Sequence, residues 1–168
     1  MPAVIRPAMA SDIDAIAAIY AYHVKHSTGT FETEDPDSLE MTRRWREVEA
    51  RSLPWLVAEE NGEITGYAYA APYRTRAAYR HTVEDSVYVR ADRMGSGLGK
   101  LLMPALITAT QGSGMHQMIA VIGDSANHPS INLHRRFGFY DAGLLRAVGL
   151  KFGRWLDTVF MQRNLLEN

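Results

Sequence analysis

The chain has 168 residues, no cysteine and a formal net charge of -1, with 46% apolar and 22% charged residues. That length suits one domain spanning residues 1–168 with its own core, and the composition is ordinary for a globular fold without repeats or low-complexity tracts. A near-neutral surface excludes an overall electrostatic footprint for nucleic acid or anionic membrane. The missing thiols exclude disulfides, thiolate metal sites and a cysteine acyl-enzyme.

The first residues, "MPAVIRPAMASDID", carry acids where a targeting leader would be basic and then apolar. The longest apolar run, near Leu101 to Ala109, is far too short for a bilayer span, so a cytoplasmic protein with no membrane partner is expected. "AVIR" reads as a strand, and "SDIDAIAAIYAYHV" as a helix capped at Ser11 with Ile13, Ile16, Ala17 and Tyr20 on its buried face. After the polar "STGTFETEDPDS", a second helix is expected from Leu39 to about Arg51. "WLVAEE" and "EITGYAYAA" flank Asn61-Gly62, a strong two-residue hairpin signal, and "TVEDSVYV" follows the basic loop "YRTRAAYRH" as the next strand.

A helix is expected from about Gly97 to Gln111, kinked at Pro104, which removes the bond to the carbonyl of Lys100. "QMIAVIG" reads as a buried strand and "HPSINLHRRF" as a short helix with Pro129 in its first turn and Gly138 at its end. Strands near Tyr140 to Val148 and Trp155 to Gln162 close the chain. The order βααβββαβαββ predicts an α/β (α+β) fold, a mixed sheet with helices on both faces.

Between the strand "SVYV" and the third helix stands "RMGSGLGK", Arg93 to Lys100. Its spacing fails a Walker loop, which needs glycine where Met94 stands and Ser or Thr where Leu101 stands. It also fails the dinucleotide fingerprint, which would put a glycine at Lys100. Amides free of Cβ at a helix N-terminus nevertheless form an anion cradle, and a pyrophosphate suits it; a strand-to-helix turn without a ligand is the alternative.

Arg93, Gly95, Gly97 and Gly99 after a strand resemble the R/Q-x-x-G-x-G/A arm of the GNAT acyltransferase superfamily, and "NHPSINLHRRFGF" resembles its second cofactor segment. "IYAYHV", "TFET", "AVIG" and "KFGRW", with the region from "PWLVAEE" to "SVYV", extend the likeness to the phosphinothricin and methionine sulfoximine N-acetyltransferases from Ile19 to about Leu165. The resemblance implies the GNAT fold, a mostly antiparallel sheet of about seven strands with about four helices. It implies acetyl-CoA as cosubstrate, transfer to the α-amine of a small amino acid analogue, and a homodimer. It further implies cofactor contacts along Arg93, Met94, Gly95, Ser96, Gly97, Leu98, Gly99 and Lys100, at Asn127, and at the backbone of Val87, Tyr88 and Val89.

Amine acetylation needs a neutral nitrogen, a polarised thioester and a proton for the leaving thiolate. An α-amine titrates near 7.7 to 8 or higher, roughly, so much of the substrate arrives charged and a base is required. The resemblance points to Glu84, and strand alternation sets Thr82, Glu84, Ser86 and Tyr88 opposite Val83, Asp85, Val87 and Val89, so that one face would carry the chemistry. The other reading of Glu84 is a strand-end carboxylate paired with an arginine.

Where most of the superfamily has a tyrosine to protonate the thiolate, this chain has His134, either an acid or a structural histidine. Arg74, Arg76 and Arg80 lie among Tyr73 and Tyr79, and guanidinium forks match carboxylate and phosphinate oxygens. Arg74, Arg76 and Tyr79 fall on the family's substrate positions, while Arg80 matches less closely. Tyr73, Thr75, Asp85 and Ser86 join them, and Phe31 lines the pocket from the loop after the first helix. His23, His26, His81, His116 and His128 show no metal-ligand spacing, and Phe152 and Trp155 suit core or dimer interface. Transfer in a ternary complex is expected, detoxifying glutamine-synthetase inhibitors and so conferring herbicide resistance. The alternatives are a protein or peptide N-terminal acetyltransferase and a non-catalytic acyl-CoA sensor.

Overall fold

The computed structural model describes residues 2–167. β1 (Val4–Pro7) leads into α1 (Ile13–His26) and α2 (Ser38–Ala50), followed by three consecutive strands, β2 (Trp55–Glu60), β3 (Glu63–Pro72) and β4 (Thr82–Val89). Then come α3 (Leu98–Gly112), β5 (Gln117–Gly123), α4 (His128–Arg136) and a terminal hairpin of β6 (Tyr140–Lys151) and β7 (Arg154–Asn164). The seven strands form one sheet in the order β1-β2-β3-β4-β5-β7-β6. All neighbours are antiparallel except β4 and β5. The expected mixed, mostly antiparallel sheet with four helices is therefore present.

α1 buries Ile13, Ile16, Ile19, Tyr20 and Val24, a helical stripe against the sheet. Its start differs from the sequence reading. Ser11 does not cap it but lies exposed within a single 3-10 turn, Ala10–Asp12. The buried Asp12 carboxylate accepts from the Met9 amide at 2.8 Å and binds the Arg6 guanidinium at 2.8 and 3.0 Å. Asp12, held by a cation and an amide, closes the 3-10 turn that contains Ser11, so Ser11 is not at the helix-initiating position from which its hydroxyl could cap. α2 begins at Ser38, one residue earlier than expected, because Asp37 accepts from the Glu40 amide at 2.8 Å.

Asn61 and Gly62 both adopt positive φ, 52° and 82°, as a two-residue hairpin turn requires. Phe152 and Gly153 do the same between β6 and β7. α3 runs through Pro104 from Leu98 to Gly112 without interruption. Both faces of β3 are covered, and the core gathers Ile16, Met41, Tyr67, Leu102, Met103, Leu106, Met118 and Met161. β6 and β7 run further toward their shared turn than the sequence suggested, and their apolar residues Leu144, Leu145, Val148, Leu150, Phe152 and Trp155 stand exposed. Phe152 and Trp155 are thus outside the core. No helix among the described residues is long and apolar enough to cross a membrane.

Candidate active site

The register of the sheet opens the site. β4 pairs with β5 only from Thr82 to Glu84, whereas β3 follows β4 to Val89 and β7 follows β5 to Gly123. Beyond Glu84 the two central strands part, and the edge of β4 facing β5 is left without a strand partner. A cavity of about 440 Å³ fills the gap, bordered by Glu84 through Val89 on one side and Ala120 through Gly123 on the other. Unpaired main-chain groups along such an edge must be satisfied by a ligand or water. An amide-bearing chain laid in the gap, as pantetheine is, would supply the missing partner.

Glu84 stands where the strands diverge. Burial, then the adjoining Asp85 charge, pushes its carboxyl up to about 7, against a smaller downward pull from Arg74. Strand alternation holds: Tyr88 meets Tyr20 and His23 of α1, while Asp85 points to the opposite face and meets α4. The cavity is nevertheless lined from both faces, reaching through the parted sheet to Asn127, Ser130 and His134.

His134 and Asp85 form a buried pair, with Nε2 2.8 Å from Asp85 Oδ2 and Nδ1 2.7 Å from the Ser130 carbonyl oxygen. Both ring nitrogens face acceptors. Desolvation opposes the charged ring, yet Asp85 and the Ser130 carbonyl outweigh it, and the His134 pKa is raised. The arrangement suits an imidazolium that donates to both. Asp85 Oδ1 remains buried without a partner among the described residues. His134 was singled out from the sequence, but its partnership with Asp85, 49 residues away, was not.

At the mouth, Gly95 and Gly97 take φ of 78° and 93°, left-handed values that a side chain would strain. A Cβ built on either meets nothing within 4 Å, so the space above the loop is open. The first amides of the 15-residue α3 face this opening with the positive end of its dipole. Gly99 differs: its Cβ would stand 3.1 Å from Leu133 Cδ2, so it lets α4 approach α3. Ser96 and Lys100 are exposed around the loop, Met94 borders the cavity, and Leu98 is buried beneath it. Arg93 reaches back to Glu60 at 2.6 Å and props the loop against the β2–β3 hairpin. Asn127 caps α4 through its side-chain oxygen, 3.3 Å from the Ser130 amide, which leaves its NH2 group for a ligand. A pyrophosphate cradle, an open strand edge and an amide donor in series fit acetyl-CoA.

Phe31 borders the cavity as expected. Tyr73, Arg74, Thr75, Arg76 and Tyr79 do not; they belong to an exposed loop, where Arg74, Thr75 and Arg76 line a neighbouring cavity of about 490 Å³ with Arg51 and Arg80. Arg74 stacks over Tyr73 at 5.0 Å and is close enough to influence Glu84. Sequence reasoning missed several residues of the central wall: Tyr20, His23, Glu32, Arg44 and Tyr69. Arg44 binds Glu32 at 2.7 and 3.2 Å and Glu40 at 3.0 Å, and His23 Nε2 lies 2.8 Å from the Val89 carbonyl oxygen. Burial keeps His23 neutral, so it donates to that oxygen and removes it from the open edge. Tyr20 and His23 carried a weak signal, being polar residues on the buried stripe of α1. Glu32 and Arg44 carried none.

A sheet parted at its centre, with an anion cradle at one end of the gap and a buried carboxylate at the other, fits a transferase that draws its acyl group from a CoA thioester. Residues 16–139 match the Acetyltransferase (GNAT) family, and the chain belongs to that family. It is 51% identical to a phosphinothricin N-acetyltransferase of Alcaligenes faecalis over 92% of this chain and 78% of that one. It is 46% identical to an L-methionine sulfoximine/L-methionine sulfone acetyltransferase of Pseudomonas aeruginosa, over 98% and 96%. The crystal structure of a GNAT superfamily phosphinothricin acetyltransferase from Sinorhizobium meliloti in complex with AcCoA superposes with a TM-score of 0.93 at 44% identity, covering 98% of this chain and 89% of that one. The protein is an acetyl-CoA-dependent N-acetyltransferase.

Proposed function

We propose that the enzyme acetylates the α-amine of a free amino acid analogue of the phosphinothricin, methionine sulfoximine or methionine sulfone type, by direct transfer in a ternary complex, with Glu84 as general base. The observation that carries this reading is the Glu84 carboxyl, raised to about 7 inside the cavity. A base of that strength can take a proton from an ammonium group near neutrality and still be ionised there. Acetyl-CoA supplies the acetyl group. The free edge of β4 from Val87 to Val89 would align it, the α3 N-terminus would hold its phosphates, and Asn127 would bond its chain.

Of the two roles open to His134, the geometry supports the structural one. Its two N–H groups are engaged with Asp85 and Ser130, so it neutralises Asp85 beside the cofactor path and directs no free proton at a thiolate. The arginine loop, exposed and adjacent to Glu84, would draw the carboxylate and the second oxyanion of the substrate toward the cavity. The chain would work in the cytoplasm, where inactivating such glutamine-synthetase inhibitors amounts to resistance, and as a homodimer through the apolar β6–β7 hairpin.

Acetyl-CoA-dependent thiol release with phosphinothricin, methionine sulfoximine and methionine sulfone tests the reading. Wild type should turn over at least one, with kcat/KM rising with pH and levelling above about 7, because the deprotonated carboxylate is the active form. Glu84→Gln should lose roughly 10²- to 10⁴-fold in kcat/KM and the inflection with it. Turnover of peptide N-termini in place of all three amino acids would overturn the substrate assignment.

A further inference from the structure

We propose that Lys151 is a positioning residue for the amino acid side of the pocket, holding segment 27–31 against the sheet so that Phe31 stands as a fixed wall of the cavity that Glu84 also borders. This rests on the proposed N-acetylation of a small amino acid and concerns what shapes its binding site.

Lys151 ends the edge strand β6, yet it is only 4% exposed. No carboxylate lies within ion-pair distance of it among the described residues. An ammonium buried in this way must find other acceptors. Its Nζ donates to the carbonyl oxygens of Ser27 and Thr30, each at 2.7 Å. Ser27 is the C-terminal cap of α1, so the cation also sits at the negative end of that helix. Burial lowers the Lys151 pKa, against a smaller upward pull from the Glu32 charge.

The rest of the segment is bolted in the same sense. Thr28 Oγ1 donates to Asp124 Oδ2 at 2.9 Å, and the Tyr20 and Thr30 hydroxyls lie 2.9 Å apart. The next residue is Phe31, whose ring occupies a slot between Gly123 of β5 and Gly149 of β6. A Cβ on either glycine would collide with it. Backbone clamp and glycine slot therefore act on one side chain, and that side chain borders the cavity. The proposed cofactor contacts lie on β4, α3 and Asn127, none of which hydrogen-bonds to Lys151. The amino acid should feel its loss and acetyl-CoA should not.

Lys151→Met should raise KM for the preferred amino acid about tenfold while kcat stays within about threefold and the acetyl-CoA Kd within about twofold, the pattern of lost uniform binding. In a Phe31→Ala background the same change should shift KM by less than about twofold, since residues acting through one another are non-additive. An equal KM rise in both backgrounds, an unchanged KM, or a matching loss of acetyl-CoA affinity overturns the proposal. If Lys151→Met does not fold, Gly149→Ala serves instead: it keeps the cation and displaces the ring, and a wild-type KM in that variant is equally fatal. Should wild type acetylate no amino acid, the proposed function fails first. Hydrogen exchange of amides 28–32 then decides the clamp, with faster exchange in Lys151→Met supporting it and unchanged exchange refuting it.

Discussion

Glu84 and Asp85 are neighbours in the chain, and the sheet turns them to opposite sides. Asp85 finds a cationic partner in His134, whereas Glu84 finds burial and a like charge. The difference has a thermodynamic sign. Glu84 is raised from an ordinary 4.5 to about 7, so the folded state holds a proton that the unfolded chain has already released. Stability therefore falls as pH climbs from about 4.5 through about 7 and stays reduced above it. Glu84→Gln removes that penalty and should be more stable than wild type by on the order of 3 kcal/mol at pH 8, with the gap closing by pH 4. Denaturant titrations of both proteins across that range check it. A variant that loses activity and gains stability would identify a functional, strained carboxylate; one that loses both would make Glu84 a structural residue.

At the scale of elements, the decisive feature is how β4 ends. Its partner β5 leaves it after Glu84, its other partner β3 stays, and the chain then passes through two left-handed glycines into α3. Gly97 and Gly99 look equivalent in "GSGLGK" but do different work. Gly97→Ala meets open space yet forces a side chain onto φ 93°, a strain of roughly 1–3 kcal/mol that should distort the cradle and weaken acetyl-CoA binding about tenfold or more. Gly99→Ala keeps an ordinary φ and only nudges the flexible Leu133 side chain, so its acetyl-CoA affinity should stay much closer to wild type. Calorimetric titration of the two variants separates them. Comparable losses in both would mean that the loop is held by packing and not by backbone conformation.

For the whole molecule, the terminal hairpin is the part whose surface least resembles that of a monomer. Leu144, Leu145, Val148, Leu150 and Trp155 are exposed along β6 and β7, while the pocket-side end of β6 carries Gly149 and Lys151. In the proposed homodimer these exposed apolar residues would be covered. Leu145→Asp should shift the protein from dimer to monomer in sedimentation at micromolar concentration. A wild type that already sediments as a monomer would refute the dimer and leave the hairpin's apolar face without a partner.

The order of strands and helices, the Asn61-Gly62 turn and the left-handed glycines of the loop before α3 were legible in the sequence because each is local: a periodicity or a φ requirement. That Glu84, Asn127 and His134 would border one cavity was legible through a resemblance carried by motifs that stand close to them. Tertiary structure alone decided the partnership of His134 with Asp85, the wall formed by Glu32 and Arg44, the neighbouring cavity that takes the loop arginines, and the hold of Lys151 on segment 27–31. Each of these joins residues far apart in the chain or depends on which direction a loop side chain takes. No local pattern encodes such a pairing, because the energy that selects it, the cost of burying a charge without acceptors, arises only once the sheet has brought the two segments together.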